Sequence, residues 1–301
     1  MPDVSILVRA KNDESVIGRT LRGIVCQKTN FAFEVVVCDD GSTDRTHEIA
    51  EDFPVRFVTR PAQSYKPGVT LNALVREARG KMVVFNNSDA VPLDENWLSA
   101  LLEPLGAQDG TPQSVFSFAN QKPRANANWL VRKDHERAFG DGRIQATWPF
   151  FFSLASSATW RQLLLDTPFD EDIQYSEDVE WTWRNSRRPE NPVRVVYCPK
   201  ALCEHSHNYT FSQMAKRFRG EGMADHRIFG RQPSTGRALV SAARESLRDI
   251  AYLLRHALHP NEGPGLCRLA LEIPYSPLCR LVQRLSHNAG LREAVALERT
   301  P

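Results

Sequence analysis

Short β-branched runs alternate with stretches of helical spacing over the first third of the chain. Val4 to Val8 predicts a strand, followed by polar Lys11-Asn12-Asp13-Glu14 and a helix running through Ile24. Phe33 to Cys38 predicts a second strand, closed by Asp39-Asp40-Gly41-Ser42-Thr43-Asp44. A helix is expected to start there, with Ser42 or Thr43 as N-cap and Ile49 and Ala50 on its buried side. Val55 to Thr59 predicts a third strand, Leu71 to Ala78 a helix stopping at Gly80, and Met82 to Phe85 a fourth strand ending in Asn86-Asn87-Ser88-Asp89. Strands alternating with helices argue for an α/β fold, a mostly parallel, Rossmann-like sheet with helices on both faces. Ligands of such sheets bind at the carboxyl ends of the strands, where both acidic clusters fall.

The pattern then loosens. Trp97 to Leu105 predicts a helix, and Val115 to Phe118 and Val193 to Cys198 predict strands around a long Asn-, Trp- and Arg-rich insertion between Gln121 and Trp148. The apolar Trp148 to Phe152 run reads as core. Beyond Phe229 the spacing turns helical. In Ser241 to His259, Leu247, Ile250, Ala251, Leu254 and Leu258 follow one face, with Arg244, Arg248 and Arg255 elsewhere. Pro260 and Gly263-Pro264 close that helix, and shorter helical pieces are expected after them.

Composition narrows the class. The 301 residues are 42% hydrophobic with a net charge of +2, which excludes a disordered chain. No stretch approaches the roughly 20 apolar residues of a membrane-spanning helix, and the chain opens straight into a strand, so a cytoplasmic protein is expected. Cys26, Cys38, Cys198, Cys203, Cys267 and Cys279 lack zinc-site spacing and read as structural thiols. Charge is unevenly spread. Met1 to Asn208 carries 24 Lys and Arg against 28 Asp and Glu, whereas Tyr209 to Pro301 carries 14 against 8, and 13 of those 14 are Arg. That basic third reads either as a helical packing module or as a foot on an anionic membrane surface. No nucleic-acid reader motif accompanies it.

Three acidic stations converge on one sheet edge: Asp39-Asp40, Asp89 and Glu177-Asp178, with His205 and His207 arriving from a run after the last predicted strand. Carboxylates and imidazoles together suit a divalent cation holding a diphosphate. Each alone has a plainer reading as a turn, a cap or a charged helix start. Gly220-Glu221-Gly222 is no dinucleotide fingerprint, because no strand precedes it. His47 and His135 read as surface residues, and Arg184, Arg187 and Arg188 as loop decoration.

The ordered set resembles the family 2 glycosyltransferases, which have the GT-A fold, over Val4 to about Gly222. The pieces are Val4 to Val8 with Asn12-Asp13, Asp39 to Asp44, Lys66-Pro67-Gly68 with Asn72, Asn87 to Pro92, Glu177 to Trp181, and His205-Ser206-His207-Asn208-Tyr209. The phrase around Asp89 and the His205 run look most like the rhamnosyltransferase-like branch. The resemblance implies a GT-A domain over residues 1–229, with a nucleotide-sugar half of about 1–105 and an acceptor half of about 106–229, followed by a basic helical appendage over 230–301. It implies an inverting transfer from a nucleotide-diphosphate sugar to a glycan or lipid-linked acceptor, assisted by Mn²⁺ or Mg²⁺.

Roles follow residue by residue from the same resemblance. Asp39 would accept from the base, which favours UDP- or dTDP-sugars because a carboxylate only accepts, although relatives with this signature also use GDP-sugars. Val8, Arg9, Asn12, Asp13, Asp40, Lys66, Asn72, Asn87 and Ser88 would line the nucleotide-sugar site. Lys66 reads equally well as a phosphate contact or a solvated loop lysine. Asn87 departs from the family's Asp-x-Asp: it keeps an oxygen but loses a charge. Asp89 and His205 or His207 would hold the metal, and imidazole favours Mn²⁺. Asp178 would be the general base, its pKa raised by Glu177 and partial burial. Trp181 and Trp183 would offer flat faces to a sugar, or fill core. A sugar-phosphate nucleotidyltransferase would want a Gly-rich loop after the first strand, and none is there. A degenerate protein that binds nucleotide sugar without turnover is the other alternative.

Overall fold

A computed structural model describes residues 1–59, 66–106, 114–148, 150–257 and 265–299. The chain divides into two units: one of residues 1–124, 137–173 and 177–206, the other of residues 125–136, 174–176 and 207–301.

The first unit is organised by an eight-stranded sheet. Its strands are β1 (Val4–Ala10), β2 (Phe33–Asp39), β3 (Arg56–Thr59), β4 (Met82–Asn87), β5 (Val91–Pro92), β6 (Val115–Lys122), β7 (Ser156–Trp160) and β8 (Arg194–Glu204), in the order β3-β2-β1-β4-β7-β6-β8-β5. β3, β2, β1 and β4 run parallel, as do β6 and β8, while β7 is antiparallel to β4 and β6. Both faces are buried, for a reason visible in the strands. Ile6, Val8, Val35, Val37 and Val84 point into one apolar cluster, and the alternating Leu7, Val36, Cys38, Val83 and Phe85 into another. α1 (Ile17–Val25) and α4 (Trp97–Leu102) pack the first cluster, and α3 (Pro67–Glu77) and α8 (Glu177–Asn185) the second.

Local expectations needed several corrections. α2 (Thr46–Glu51) starts after Arg45, so neither Ser42 nor Thr43 caps it; both hydroxyl residues are drawn into the Asp39 turn instead. α3 begins at Pro67, four residues before Leu71, because Pro suits a first helical turn. The helix from Trp97 ends at Leu102 and finishes as a 3₁₀ turn over Glu103–Leu105. β7 escaped the sequence: Ser156-Ser157-Ala158-Thr159-Trp160 has little apolar character, yet all five residues are buried. So did α5 (Trp129–Phe139), α6 (Arg143–Thr147) and α7 (Arg161–Asp166). Cys38, Cys198, Cys203 and Cys279 are buried free thiols, and burial pushes those of Cys198 and Cys203 up to about 12, which keeps them inert. Cys26 is exposed, and the side chain of Cys267 lies outside what is described.

The second unit is helical: the first two turns of α5, then α9 (Phe211–Phe229), α10 (Thr235–Ala257) and α11 (Gly265–Glu298). α10 matches the expected helix, though Leu258 and His259 lie outside the described residues. The pieces expected after it are one continuous helix of 34 residues that contains Pro274 and Pro277. Each internal proline costs about 3 kcal/mol of helix propensity, which packing along α9 and α10 offsets. Gly222, one of the two glycines set aside as a false fingerprint, and Gly290 on α11 explain the closeness of that packing. A Cβ on Gly222 would lie 2.1 Å from the His287 carbonyl oxygen, and one on Gly290 would lie 1.9 Å from that of Arg219.

This unit is also held by buried charge. Asp249, only 2% exposed, accepts from Arg280 Nε at 2.7 Å and Ser276 Oγ at 2.6 Å, and pairs with Lys133. Arg280 continues to Asp134 at 2.8 Å and Gln283 at 3.0 Å. Burial alone would raise the Asp249 pKa, but the donors from Arg280, Lys133 and Ser276 outweigh it and hold the carboxyl below its ordinary value.

Candidate active site at the carboxyl edge of the sheet

The carboxyl ends of β1, β2 and β4 meet as neighbours, and the loops leaving them are tied by side-chain bonds. After β2 the chain must reverse; Gly41, at φ +79°, makes that turn without a Cβ penalty. The turn folds Ser42 back so that its N–H and hydroxyl both donate to Asp39 Oδ1, at 2.9 and 2.7 Å. Asn12, itself left-handed at φ 55°, accepts from the Thr43 N–H at 2.8 Å and donates its own N–H to Ser42 Oγ. Asp13 accepts a hydrogen bond from Ser88 Oγ, which joins the β1 loop to the β4 loop. Asp40 donates its N–H to the Ala10 carbonyl at 3.0 Å.

Arg9 sits at the centre of this edge. Its Nη2 donates to Asn87 Oδ1 at 3.1 Å and its Nη1 lies 3.7 Å from Glu177 Oε1. Asn87 therefore uses its oxygen on an arginine. Glu177, expected to press on Asp178, is engaged by the same guanidinium. Asp178 is half-buried in the first turn of α8, where the helix dipole favours a carboxylate. Its Oδ1 accepts from Val179 N–H at 2.8 Å and its Oδ2 from Leu154 N–H at 3.4 Å.

A second cluster forms where β5 pairs antiparallel with the end of β8, Val91 opposite Glu204. That register brings His205, the residue after β8, back to Asp89, two residues before β5. His205 Nε2 lies 3.4 Å from Asp89 Oδ1, the two side chains 12% and 11% exposed. His205 Nδ1 lies 2.8 Å from Gln121 Oε1, and Gln121 Nε2 donates to Ser153. In the tautomer whose Nδ1–H donates to Gln121 Oε1, the Nε2 lone pair faces Asp89, a pairing that can hold a metal ion. Arg124 donates to the Asp89 carbonyl at 2.8 Å and to Oδ2 at 3.3 Å, while its N–H is held by Ser206.

The model of the glycosyl transferase family 2 matches residues 5–161. The chain belongs to that family. This glycosyltransferase is 25% identical over 281 residues, 85% of its own length and 83% of the relative's, to the O-antigen chain rhamnosyltransferase WbaN of Salmonella anatum. A second O-antigen rhamnosyltransferase, from Salmonella typhimurium, is 22% identical and 82% covered. The poly(ribitol-phosphate) β-N-acetylglucosaminyltransferase of Staphylococcus aureus is 32% identical over 207 residues, a match that covers 61% of this chain and only 32% of the relative. Among solved structures, a mannosyltransferase from Pyrobaculum calidifontis in complex with GDP-Man and Mn²⁺ matches with a TM-score of 0.60 at 18% identity, over 98% of this chain and 87% of that one. Glucosyl-3-phosphoglycerate synthase from Mycobacterium tuberculosis matches with a TM-score of 0.54 at 20% identity, covering 78% and 82%. The fold is GT-A, and the protein is an enzyme of glycosyl transfer.

Within this glycosyltransferase, three expected site residues prove to be framework. Val8 is fully buried, so only its backbone can face a ligand. Trp181 has no exposed face: its ring packs edge-on against Phe116 and its indole N–H donates to the Thr167 carbonyl. Asn72 is buried and brackets the 169–171 segment, donating to the Phe169 carbonyl and accepting from the Phe169 N–H, both at 2.9 Å. Lys66 reaches Asp172 at 3.3 Å. His207 begins the last segment of the second unit and stacks on Tyr209, with 5.3 Å between ring centroids. Trp183 is half-buried and carries Arg187 over its ring at 3.6 Å; Arg184, expected in a loop, lies instead in the last turn of α8 and pairs with Glu180 at 2.7 Å. Gln121 and Arg124 sit in an unremarkable strand and loop that no sequence pattern singles out; His47 is exposed, as expected, with its Nδ1 3.6 Å from Asp39 Oδ2.

Proposed function

We propose that this glycosyltransferase moves a sugar from a nucleotide-diphosphate sugar to a hydroxyl of a glycan or lipid-linked acceptor, with inversion at the anomeric carbon. The observation that carries the metal-assisted form of this reading is Asp89 facing a His205 whose other nitrogen is anchored by Gln121. Carboxylate oxygen plus imidazole nitrogen fits Mn²⁺ and, less well, Mg²⁺. His207 stands two residues along the chain as the third candidate ligand. A bound cation would supply charge neutralisation for the departing diphosphate. The complexes of the two structural relatives with Mn²⁺ and a nucleotide or nucleotide sugar support the same assignment.

Asp39 Oδ2 faces His47 and remains the acceptor for a base N–H, since Oδ1 is filled by Ser42. Asp178 takes the acceptor hydroxyl's proton as that oxygen bonds to C1 and the C1–O bond to the diphosphate breaks, so no covalent enzyme intermediate is required. Arg9 holds Asn87 and Glu177 in place beside it. Residues 1–229 carry the transferase and 230–301 its helical appendage.

Among the described residues no helix is long and apolar enough to cross a membrane. α10 nevertheless fits an anionic membrane surface. Val240, Leu247 and Leu254, seven residues apart, are 70%, 69% and 49% exposed. Arg237, Arg244, Arg248 and Arg255 are exposed along one border of that stripe, and the helix's two acids, Glu245 and Asp249, are both buried. An apolar stripe bordered by arginine complements anionic lipid, and two relatives named O-antigen chain rhamnosyltransferases support a glycan acceptor.

The deciding experiment is thermal stability against UDP, dTDP, GDP and CMP, each with and without Mn²⁺. Ligand at 100 times its dissociation constant stabilises by about 2.7 kcal/mol, a shift of a few degrees. One nucleoside diphosphate is expected to shift the melt, and only with metal. A shift indifferent to metal removes the cation from the mechanism, and none with any nucleotide removes the donor site.

A further inference from the structure

We infer that the second unit contains a binding site for a phosphate group, built wholly from α10, α11 and the turn before α10. A cavity of about 300 Å³ is lined there by Arg231, Ser234 and Arg237 on one side and by Arg284, His287 and Asn288 on the other. No carboxylate lines it. Gly230, at φ +64°, ends α9 and swings Arg231 to the rim. Ser234 N–H donates to Asn288 Oδ1 at 2.6 Å, and Ser234 Oγ accepts from Arg237 N–H at 3.4 Å, so the buried Asn288 fixes the start of a 23-residue helix at the cavity wall. Amides at such a helix start favour an anion.

The surrounding carboxylates aim the cations without cancelling them. Asp225 pairs with Arg231 and with His287 Nε2 at 2.9 Å, and Glu245 pairs with Arg284. Arg237 donates to the Gln232 carbonyl at 3.1 Å and forms no ion pair among the described residues. Three guanidiniums against two carboxylates leave positive charge over the cavity. Three arginines lining one cavity suit a tetrahedral phosphate, which takes several fork-like donors, better than a lone carboxylate. The volume admits the phosphate of a phosphorylated lipid headgroup or of a soluble phosphate ester. Nothing in the transfer reaction uses this site, so it stands or falls independently of the proposed chemistry.

The test uses the full chain with UDP and Mn²⁺ at saturation, so that the donor site is filled. Inorganic phosphate is titrated calorimetrically against a chloride control of equal ionic strength, in wild type and in Arg237→Ala. Arg237 is exposed, so the variant keeps the fold, checked by circular dichroism. In parallel, sedimentation compares phosphatidic-acid vesicles with phosphatidylserine vesicles of equal charge. Saturable phosphate binding weakened roughly tenfold or more by the variant supports the site with a soluble ligand. An Arg237-dependent preference for phosphatidic acid supports it with a headgroup as ligand. Binding of neither probe, or binding that Arg237→Ala leaves unchanged, overturns the inference.

Discussion

The first and second units use the same side chains to opposite ends. In the first, Asp89 and His205 face each other at 3.4 Å across a partly exposed edge, each oriented by a neighbour from another strand or loop. In the second, Asp249 and Arg280 are sealed from solvent and matched donor for acceptor. Under the proposed function, the edge carboxylate and the histidine beside it would hold a cation between them. A carboxylate surrounded by Arg, Lys and Ser inside a bundle is already complete, and its work is to fix how helices pack. What separates the two roles is where the partners come from and whether the set is closed.

Removing the base tests the open site most severely. Asp178→Asn is expected to lower turnover by roughly 10²- to 10⁴-fold while leaving nucleotide affinity within experimental error; transfer assays beside nucleotide melts check both, and unchanged turnover would sink the assigned base. Breaking the closed site shows the contrasting signature. Asp249→Ala leaves the buried Arg280 with only the part-exposed Asp134 as a carboxylate partner and should destabilise the protein by about 3 kcal/mol, read by denaturant unfolding, with the nucleotide-induced melting shift retained.

The same carboxylate sets a pH dependence. Its folded pKa lies below the ordinary 3.8, so its contribution to stability is present above that value and is lost as pH falls towards the lower folded one. The stability gap between wild type and Asp249→Asn should therefore be constant near neutrality and shrink below pH 3.8; a gap that stays constant under acid contradicts the linkage. Gln121→Ala probes the support of the open site. It should weaken Mn²⁺-dependent stabilisation by roughly 10- to 100-fold in metal affinity, whereas Gln121→Glu, which still accepts from His205 Nδ1, should restore most of it. The smallest effect on the fold is expected at the α10 stripe. Val240→Asp should change stability by no more than about 0.5 kcal/mol and yet reduce sedimentation with anionic vesicles; equal sedimentation would remove the membrane-facing role.

Much of the first unit was legible because strands and motifs there are local. Val4 to Val8, Phe33 to Cys38 and Met82 to Phe85 announce themselves by β-branched and aromatic runs, and each ends in the polar loop that the sheet gathers at one edge. β7 was illegible because its Ser and Thr residues become strand only between β4 and β6, where neighbours supply their hydrogen bonds. Trp181 looked like a sugar platform because a sequence shows that an aromatic follows an acidic helix start, not which way that helix turns it.

The sequence by itself determined the family, the alternation of strands and helices, and the acidic and histidine stations, since these rest on residue type and order along a few consecutive positions. Only the tertiary structure decided that Asn87 spends its oxygen on Arg9, that Gln121 orients His205, that α11 runs unbroken through two prolines, and that three arginines from two helices and a turn line one cavity. Those facts depend on side chains up to 84 residues apart meeting at a few ångströms. Register and packing set such distances, and neither is written in any local stretch of chain.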